Sequence, residues 1–192
     1  MINLENLIID SIDLTINNYS ILKQKKFLTS IIKASKILHN CIKKKKKIIF
    51  CGNGGSAADA QHLTAELIGE FLKKKRQSIP AISLTTNTSV ITSIANDKNY
   101  DEIFSRQIQG LSNKNDVLYA ISTSGKSKNV IKAIKVAKKK GCKIVLITGS
   151  KKISDKSIDV VINVPAKRVD RIQEMHIFIG HILCEFLEKQ FS

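Results

Sequence analysis

The residues best able to do chemistry lie in and just after the sequence CGNGGS at positions 51–56. Its glycines allow positive φ angles and close approach of a ligand to the backbone, and Ser56 is suited to cap a following helix. The N-terminus of that helix would offer N–H groups and a partial positive charge to an anion. His62 and Glu66 are four residues apart and therefore share one helix face. A phosphate site, an imidazole and a carboxylate are thus predicted on one strand-loop-helix unit.

A second polar loop, STSGKS at positions 122–127, also follows a short apolar run. Its hydroxyl and N–H groups suit one phosphate monoester, although a Ser/Thr turn that only caps a helix has the same pattern. Its end matches a P-loop, but Ala120 replaces the first glycine and no strand ends in a magnesium-binding Asp. The first loop matches G-x-G-x-x-A, yet Thr85 and Thr86 stand where a dinucleotide enzyme needs an acid. Nucleotide chemistry is therefore disfavoured.

The elements that must position these residues follow from hydrophobic periodicity. Apolar residues at helical spacing predict two N-terminal helices, at 3–20 and 25–43, which we expect to pack on a neighbouring subunit. From residue 47, short apolar runs alternate with amphipathic segments, a pattern typical of a parallel sheet covered on both faces. The predicted strands are 47–51, 80–85, 116–121, 142–148 and 158–164, and the predicted helices are 56–74, 88–95, 100–110, 127–140 and 168–190.

The predicted fold is a single α/β domain, because 192 residues with 43% hydrophobic content suffice for one well-formed core. A doubly wound, five-stranded, mainly parallel sheet occupies residues 46–192, and the N-terminal helices at 1–45 serve oligomerisation. In such folds ligands bind beyond the carboxyl ends of the strands, where both polar loops fall. The segment 149–157 is the best candidate for a mobile loop.

Composition narrows the classes of partner. The 32 Lys and Arg against 16 Asp and Glu give a net charge of +16, which would ordinarily suggest nucleic acid or an anionic membrane. The lysine runs fall at the ends of predicted helices without stacking aromatics or a groove-reading motif, so we interpret them as solvated faces and expect no nucleic acid and no membrane partner. No signal peptide or membrane-spanning run is visible. Four cysteines without C-x-x-C spacing indicate free thiols in a reducing, cytoplasmic setting: Cys41, Cys51, Cys142 and Cys184.

Three segments together resemble bacterial phosphoheptose isomerases, which are sugar isomerase (SIS) domain proteins. They are CGNGGSAADAQH at 51–62, STSGKS at 122–127 and RIQEMH at 171–176, and the similarity runs from the N-terminal helices to the last helix. The resemblance implies a cytoplasmic homotetramer with interfacial active sites and one zinc ion per subunit. It also implies conversion of sedoheptulose 7-phosphate into D-glycero-D-manno-heptose 7-phosphate, the first step toward the ADP- or GDP-heptose of lipopolysaccharide.

The same resemblance implies roles for individual residues. Glu66 would be the base and His181 the acid of an enediol-type proton transfer. The implied metal ligands are His62, Glu66, Gln173 and His181. The implied substrate contacts are Asn53, Gly54, Gly55, Glu66, Asn96, Asp97, Ser122, Thr123, Ser124, Ser127 and Gln173.

Spacing on the last helix constrains this ligand set. Gln173 and His181 are eight residues apart, or roughly 12 Å along a straight helix, which is near the limit for two ligands of one ion. We therefore expect either a distorted or late helix start near Gln173, or ligands from two subunits, and in both cases an interfacial site. Glu70 departs from the Arg that the family usually has there, and Lys73 or Lys74 is a candidate substitute.

One alternative function stays open, a non-catalytic SIS-domain protein that binds the replication initiator or a sugar phosphate. In the relatives that partner the replication initiator, the positions matching Glu66 and His181 are replaced. Both residues are present in this chain, which favours the isomerase.

Overall fold

The computed structural model describes residues 3–150 and 153–191. Residues 151 and 152, which belong to the loop expected at 149–157, lie outside the described residues. The helices are α1 (Leu4–Leu22), α2 (Lys25–Lys43), α3 (Gly55–Ile68), α4 (Thr88–Asp97), α5 (Ile103–Leu111), α6 (Lys128–Lys139) and α7 (Val169–Phe191), with a 3₁₀ turn at Tyr100–Glu102. The strands are β1 (Ile48–Cys51), β2 (Ala81–Ser83), β3 (Val117–Ser122), β4 (Lys143–Thr148) and β5 (Val160–Asn163).

The five strands form one sheet in the order β2-β1-β3-β4-β5, and every pairing is parallel. The register places Cys51 beside Ala120, so β1 and β3 end close together. The direction of winding reverses between these two strands, and this reversal point is where doubly wound folds bind ligands. Both polar loops leave from it, at 52–54 and 123–127. The predicted five-stranded, doubly wound α/β fold is confirmed.

Alternate side chains of each strand pack on opposite faces of the sheet. Ile48 and Phe50 belong to a core with buried residues of α2, α3 and α7. Ile49 and Cys51 belong to a second core with residues of α5 and α6. β1 and β3 are buried along their whole length, as a parallel sheet covered on both faces requires. The thiols of the four cysteines are free, as predicted, and all four residues are buried: Cys41, Cys51, Cys142 and Cys184.

Helix α3 ends at Ile68, so the prediction of a helix to residue 74 is wrong. The N–H groups of Phe71, Leu72 and Lys73, which a longer helix would bond to its own carbonyls, donate instead to the carboxylate of Glu188 on α7. Gly69 follows the last helical residue and ends the helix, and the carboxylate of Glu188, more than a hundred positions away, holds the backbone beyond it.

Helix α1 packs on α7 at one side and leaves an apolar side uncovered. Arg171 of α7 donates through Nη1 to Oγ1 of Thr15 at 2.6 Å, and the hydroxyl of Tyr19 donates to the carbonyl of Glu174 at 3.3 Å. Six apolar side chains of α1 are about half exposed or more: Leu4, Leu7, Ile8, Ile9, Ile12 and Ile16. Among the described residues, no helix has the length and hydropathy needed to cross a bilayer.

Candidate active site

The first loop turns sharply into α3 through Gly54, whose φ is +56°. Gly54 is the residue that precedes the helix, and its carbonyl accepts from the N–H of Ala57 at 2.9 Å. Ser56 is 3% exposed and lies inside the first turn, so its predicted capping role is wrong. A glycine suits the capping position because that φ disfavours other residues.

The second loop is a network of hydroxyl and N–H groups at the start of α6. The hydroxyls of Ser122 and Ser127 are 3.1 Å apart, and the Ser122 hydroxyl accepts from the N–H of Gly125 at 3.1 Å. The hydroxyl of Ser124 accepts from the N–H of Lys126 at 3.1 Å. A cavity of about 290 Å³ adjoins this network, lined partly by Ser122, Gly125 and Ser127. Thr123 lies in the same loop, and its carbonyl accepts from the N–H of Gly149.

A pair of asparagines joins the two loops. Nδ2 of Asn53 donates to Oδ1 of Asn129 at 2.9 Å, and Nδ2 of Asn129 donates back to Oδ1 of Asn53 at 2.8 Å. The hydroxyl of Tyr100 also donates to Oδ1 of Asn53, at 3.2 Å. The Asn53 side chain is therefore used within the protein, and its backbone remains for an anion. Sequence reasoning missed Asn129 and Tyr100, because nothing in their spacing links them to position 53.

Asn96 and Asp97 lie in the last turn of α4, and both are exposed. Nδ2 of Asn96 donates to Oδ1 of Asp97 at 3.1 Å. Tyr100 follows three residues later and reaches Asn53, so this end of α4 adjoins the first loop. The arrangement places two exposed polar side chains near the first loop.

A cluster of two imidazoles and a carboxylate forms where α3 and α7 lie side by side. Nε2 of His62 is 3.0 Å from Oε1 of Glu66 and 2.9 Å from Nε2 of His181. The side chains of His62 and Glu66 are 48% and 21% exposed, so the cluster is accessible. Burial lowers the pKa of His181, and the nearby His62 lowers it further, while Glu66 opposes the change. The neutral imidazole is therefore favoured at His181.

Comparison with known proteins identifies the family. The SIS domain family matches residues 20–149. The phosphoheptose isomerase of Nitratiruptor is 51% identical over 162 residues, which cover 84% of this chain and 86% of that protein. The chain belongs to the phosphoheptose isomerase family of SIS-domain proteins.

Solved structures of the family have the same fold. The phosphoheptose isomerase from Neisseria gonorrhoeae superimposes with a TM-score of 0.89 at 34% identity, covering 97% of this chain and 100% of that one. The phosphoheptose isomerase from Francisella tularensis gives a TM-score of 0.92 at 28% identity, covering 98% and 100%. The fold of the phosphoheptose isomerase family therefore covers nearly the whole of this chain.

Three side chains of this phosphoheptose isomerase family member could hold a metal ion. One ligand atom from each of His62, Glu66 and His181 lies within 4.8 Å of the other two. Two ligands at about 2 Å from a tetrahedral ion lie roughly 3 Å apart, which is close to the observed 2.9 and 3.0 Å. Imidazole nitrogen and carboxylate oxygen are also donor types that zinc accepts. The described residues thus fit a zinc ion with three protein ligands.

Gln173 lies at the other end of the α3–α7 contact. A Cβ on Gly55 would lie 2.7 Å from Cδ of Gln173, so a side chain at position 55 would require the Gln173 amide to move. Gly180 of α7 lies against the side chain of Leu63 of α3. Because position 55 of α3 lies beside 173 of α7 and position 63 lies beside 180, the two helices run in the same direction. Helix α7 begins at Val169, before Gln173, so the expected late start is wrong. Ligands from two subunits stay a prediction.

Glu70, which replaces the family's usual Arg, has a local structural contact. Its Oε1 accepts from the N–H of Lys75 at 2.7 Å, and Lys75 has a φ of +61°. Glu70 thus closes a turn in the loop that follows α3. The substitute roles suggested for Lys73 and Lys74 stay predictions, and both residues are exposed.

Proposed function

We propose that this chain isomerises sedoheptulose 7-phosphate to D-glycero-D-manno-heptose 7-phosphate through an enediol. The observation that carries the proposal is the convergence of His62, Glu66 and His181 from two helices. Membership of the phosphoheptose isomerase family supplies the reaction class. A base and an acid beside an anion site are what this reaction needs.

Phosphate binding is assigned to the two loops at the winding reversal. The backbone at Asn53, Gly54 and Gly55 and the residues Ser122, Thr123, Ser124 and Ser127 would contact the phosphate and the adjoining sugar. Hydroxyl and N–H groups at the starts of α3 and α6 favour an anion because the N-terminal end of a helix carries partial positive charge. Asn96, Asp97 and Gln173 border this region and would contact the sugar hydroxyls.

Proton transfer is assigned to Glu66 and His181. The carboxylate of Glu66 would take a proton from C1 of the ketose, while His181 would supply a proton to the C2 oxygen. The resulting enediol would return the proton on its C1 oxygen to His181 and receive the proton held by Glu66 at C2, which yields the aldose and restores both residues. Oε1 of Glu66 faces His62, and Oε2 would serve the carbon-bound proton.

Zinc binding is assigned to His62, Glu66 and His181, with Gln173 as a fourth ligand from a neighbouring subunit. When bound, zinc would polarise the substrate carbonyl. His62 would hold and orient the ligand set. A nitrogen bound to zinc carries no proton, so His181 would act as the acid only while its Nε2 is released from the ion. Within one chain Gln173 lies beside Gly55, at the far end of the α3–α7 contact from His181, so the fourth position is assigned to a neighbouring subunit.

The assembly proposed is a homotetramer in which α1 buries its apolar side. Leu4, Ile8, Ile12 and Ile16 recur every four residues, so they line one face, and each is at least 50% exposed in the single chain. Exposed apolar stripes of this kind mark protein interfaces. The helices at 1–45 would thus serve assembly and the segment 46–192 the site. The enzyme would act in the cytoplasm, supplying heptose for lipopolysaccharide.

The direct test is incubation of the purified chain with sedoheptulose 7-phosphate, with the aldose product followed by NMR. Removal of metal with a chelator should lower turnover, and zinc should restore it. Full turnover by metal-free protein would contradict the zinc assignment. Binding of the sugar phosphate without turnover would instead support the non-catalytic alternative.

The assembly has its own test. Light scattering after gel filtration should give the mass of four chains. Ile12→Glu should give smaller species, because a charge in an apolar interface is costly to bury. Lys135→Glu, which places a glutamate on an exposed position of α6, is the control. A tetramer that persists in Ile12→Glu would contradict the role of α1.

A further inference from the structure

Arg76 and Glu188 form a buried ion pair next to the helical cluster. Nε of Arg76 lies 2.7 Å from Oε1 of Glu188, and the two side chains are 1% and 3% exposed. Charged groups are rarely buried unless they are paired and hydrogen-bonded. The other hydrogen bonds of this pair therefore indicate what it holds in place.

The carboxylate of Glu188 fixes the backbone of the loop that follows α3. It accepts from the N–H groups of Phe71, Leu72 and Lys73 at 3.3, 3.0 and 3.1 Å. Burial alone would raise the pKa of Glu188, but the hydrogen bonds from Arg76 and from these N–H groups lower it below its ordinary value. Glu188 is therefore ionised at neutral pH, and its charge is directed at the loop backbone.

The guanidinium of Arg76 holds the end of α3. Its Nη1 donates to the carbonyl of Leu67 at 2.9 Å, and its Nη2 donates to the carbonyl of Glu66. Nη1 also donates to the carbonyl of Gln77 at 2.9 Å. Arg76 therefore bonds directly to the backbone of the residue assigned as the base.

Phe71 connects the pair to the other assigned residue. Its ring stacks on the imidazole of His181, with centroids 5.4 Å apart and planes at 21°. Glu188 follows His181 by seven residues, or two helical turns, so both lie on the same face of α7. Glu188 thus fixes the backbone of Phe71, and the ring of Phe71 stacks on His181, two turns before Glu188 on α7.

We propose that Arg76 and Glu188 are positioning residues for Glu66 and His181. The pair acts on His181 through the ring of Phe71 and on Glu66 through its backbone carbonyl. This inference rests on the proposed function and adds the groups that orient its base and acid. Groups that orient metal ligands typically change affinity or activity by about 10–100-fold when they are replaced.

Three variants interrupt the arrangement at different points. Glu188→Gln removes the buried charge but keeps the shape. Arg76→Lys keeps the charge but removes the planar group that bonds several carbonyls at once. Phe71→Leu removes the ring and leaves the ion pair intact, and this half-buried position should tolerate the change.

The matched control is Asp116→Asn, at the other end of β3. Asp116 is also a buried carboxylate, 1% exposed, with a lysine partner, Lys47, at 2.6 Å. It also accepts from two backbone N–H groups, those of Lys47 and Asn113. Asp116→Asn therefore removes a buried, paired carboxylate charge as Glu188→Gln does, without a connection to the helical cluster.

Four quantities are measured for each variant: the melting temperature, kcat, KM, and the Zn²⁺ dissociation constant by competition with a chromophoric chelator. Glu188→Gln and Asp116→Asn should both melt at lower temperature. Only Glu188→Gln, Arg76→Lys and Phe71→Leu should weaken Zn²⁺ binding and lower kcat, each by about 10-fold, with KM nearly unchanged. The absorption spectrum of bound Co²⁺ should also change in these three.

Unchanged Zn²⁺ affinity and kcat in all three variants would overturn the proposal. If Glu188→Gln and Arg76→Lys do not fold, Phe71→Leu decides the question alone. If the unaltered chain shows no isomerase activity, the proposed function fails, and the Zn²⁺ affinities still decide the positioning role. Weakening of Zn²⁺ binding by Asp116→Asn to the same extent would indicate a general effect of stability and would also overturn it.

Discussion

The candidate site has two halves that use their polar groups differently. In the loop half, the hydroxyls of Ser122 and Ser127 adjoin each other, and the amides of Asn53 and Asn129 are paired. In the helical half, α3 and α7 bring ionisable side chains to an accessible surface. The two halves are joined by the same pair of helices, whose contact begins at Gly55 and continues past Leu63.

Under the proposed function, this difference would separate binding from proton transfer. The hydrogen-bonding groups of the loop half lie at the ends of adjacent parallel strands, where the anion would bind. The helical half begins at His62, seven residues or about 10 Å along α3 from Gly55. Variants of the two halves should therefore separate kcat from KM.

The largest effect is expected from Glu66→Gln in the helical half. The amide cannot accept the carbon-bound proton, so kcat should fall by about 10²–10⁴-fold, the contribution typical of general base catalysis. KM should change little, because the loop half keeps its contacts. Steady-state kinetics with sedoheptulose 7-phosphate measure both constants.

Glu102→Gln is the control for that variant. Glu102 lies outside α3 and α7, in the 3₁₀ turn before α5, and bonds Lys132 of α6 at 2.7 Å. Its kcat should equal that of the unaltered chain. A Glu66→Gln enzyme with normal kcat and raised KM would contradict the assignment of proton transfer to the helical half and of substrate binding to the loop half.

The sequence is sufficient to predict the strands of the sheet but not the structure of the loop that follows α3. β1 and β3 are continuous apolar runs bounded by polar loops, and both ends were predicted within one residue. Gly69 ends helix α3, whereas the backbone beyond it is held by hydrogen bonds to Glu188, which lies more than a hundred residues away. Local patterns indicate burial and periodicity, and they contain nothing about a single distant carboxylate.

The same distinction applies to the site. The spacing of His62 and Glu66 predicts a shared face, and the short distance between them follows from helix geometry alone. The position of His181 came from a family resemblance, because residues 119 apart meet only through the packing of α3 on α7. Asn129 and Arg76 were missed for the same reason. Their partners lie in other elements, and no residue nearby in sequence indicates them.

A second, smaller effect is expected from His176, which lies on α7 between the two halves. It is 1% exposed, and burial lowers its pKa to about 4 from the ordinary 6.5. Below pH 6.5 the unfolded chain takes up a proton that the folded chain does not. Unfolding free energy should therefore fall by about 3 kcal/mol between pH 6.5 and 4. The stabilising effect is complete above pH 6.5.

Urea denaturation at several pH values measures this dependence, at one protein concentration because assembly also affects stability. His176→Leu should lose the part of the slope between pH 6.5 and 4 and resemble the unaltered chain above it. The same slope in both proteins would contradict the assignment of the buried, neutral imidazole. In that case protonation of His176 would not be the cause of the fall in unfolding free energy.

The smallest effect is expected from Ser127→Ala in the loop half. The variant removes one hydroxyl from the proposed phosphate site, and one hydrogen bond to a charged group contributes about 1.5–3 kcal/mol. KM should therefore rise by about 10- to 150-fold, with kcat nearly unchanged. Ser35→Ala is the control, because the Ser35 hydroxyl donates to the carbonyl of Ile32 in its own helix, α2. A fall in kcat with unchanged KM would place Ser127 with the helical half and remove the distinction between the two.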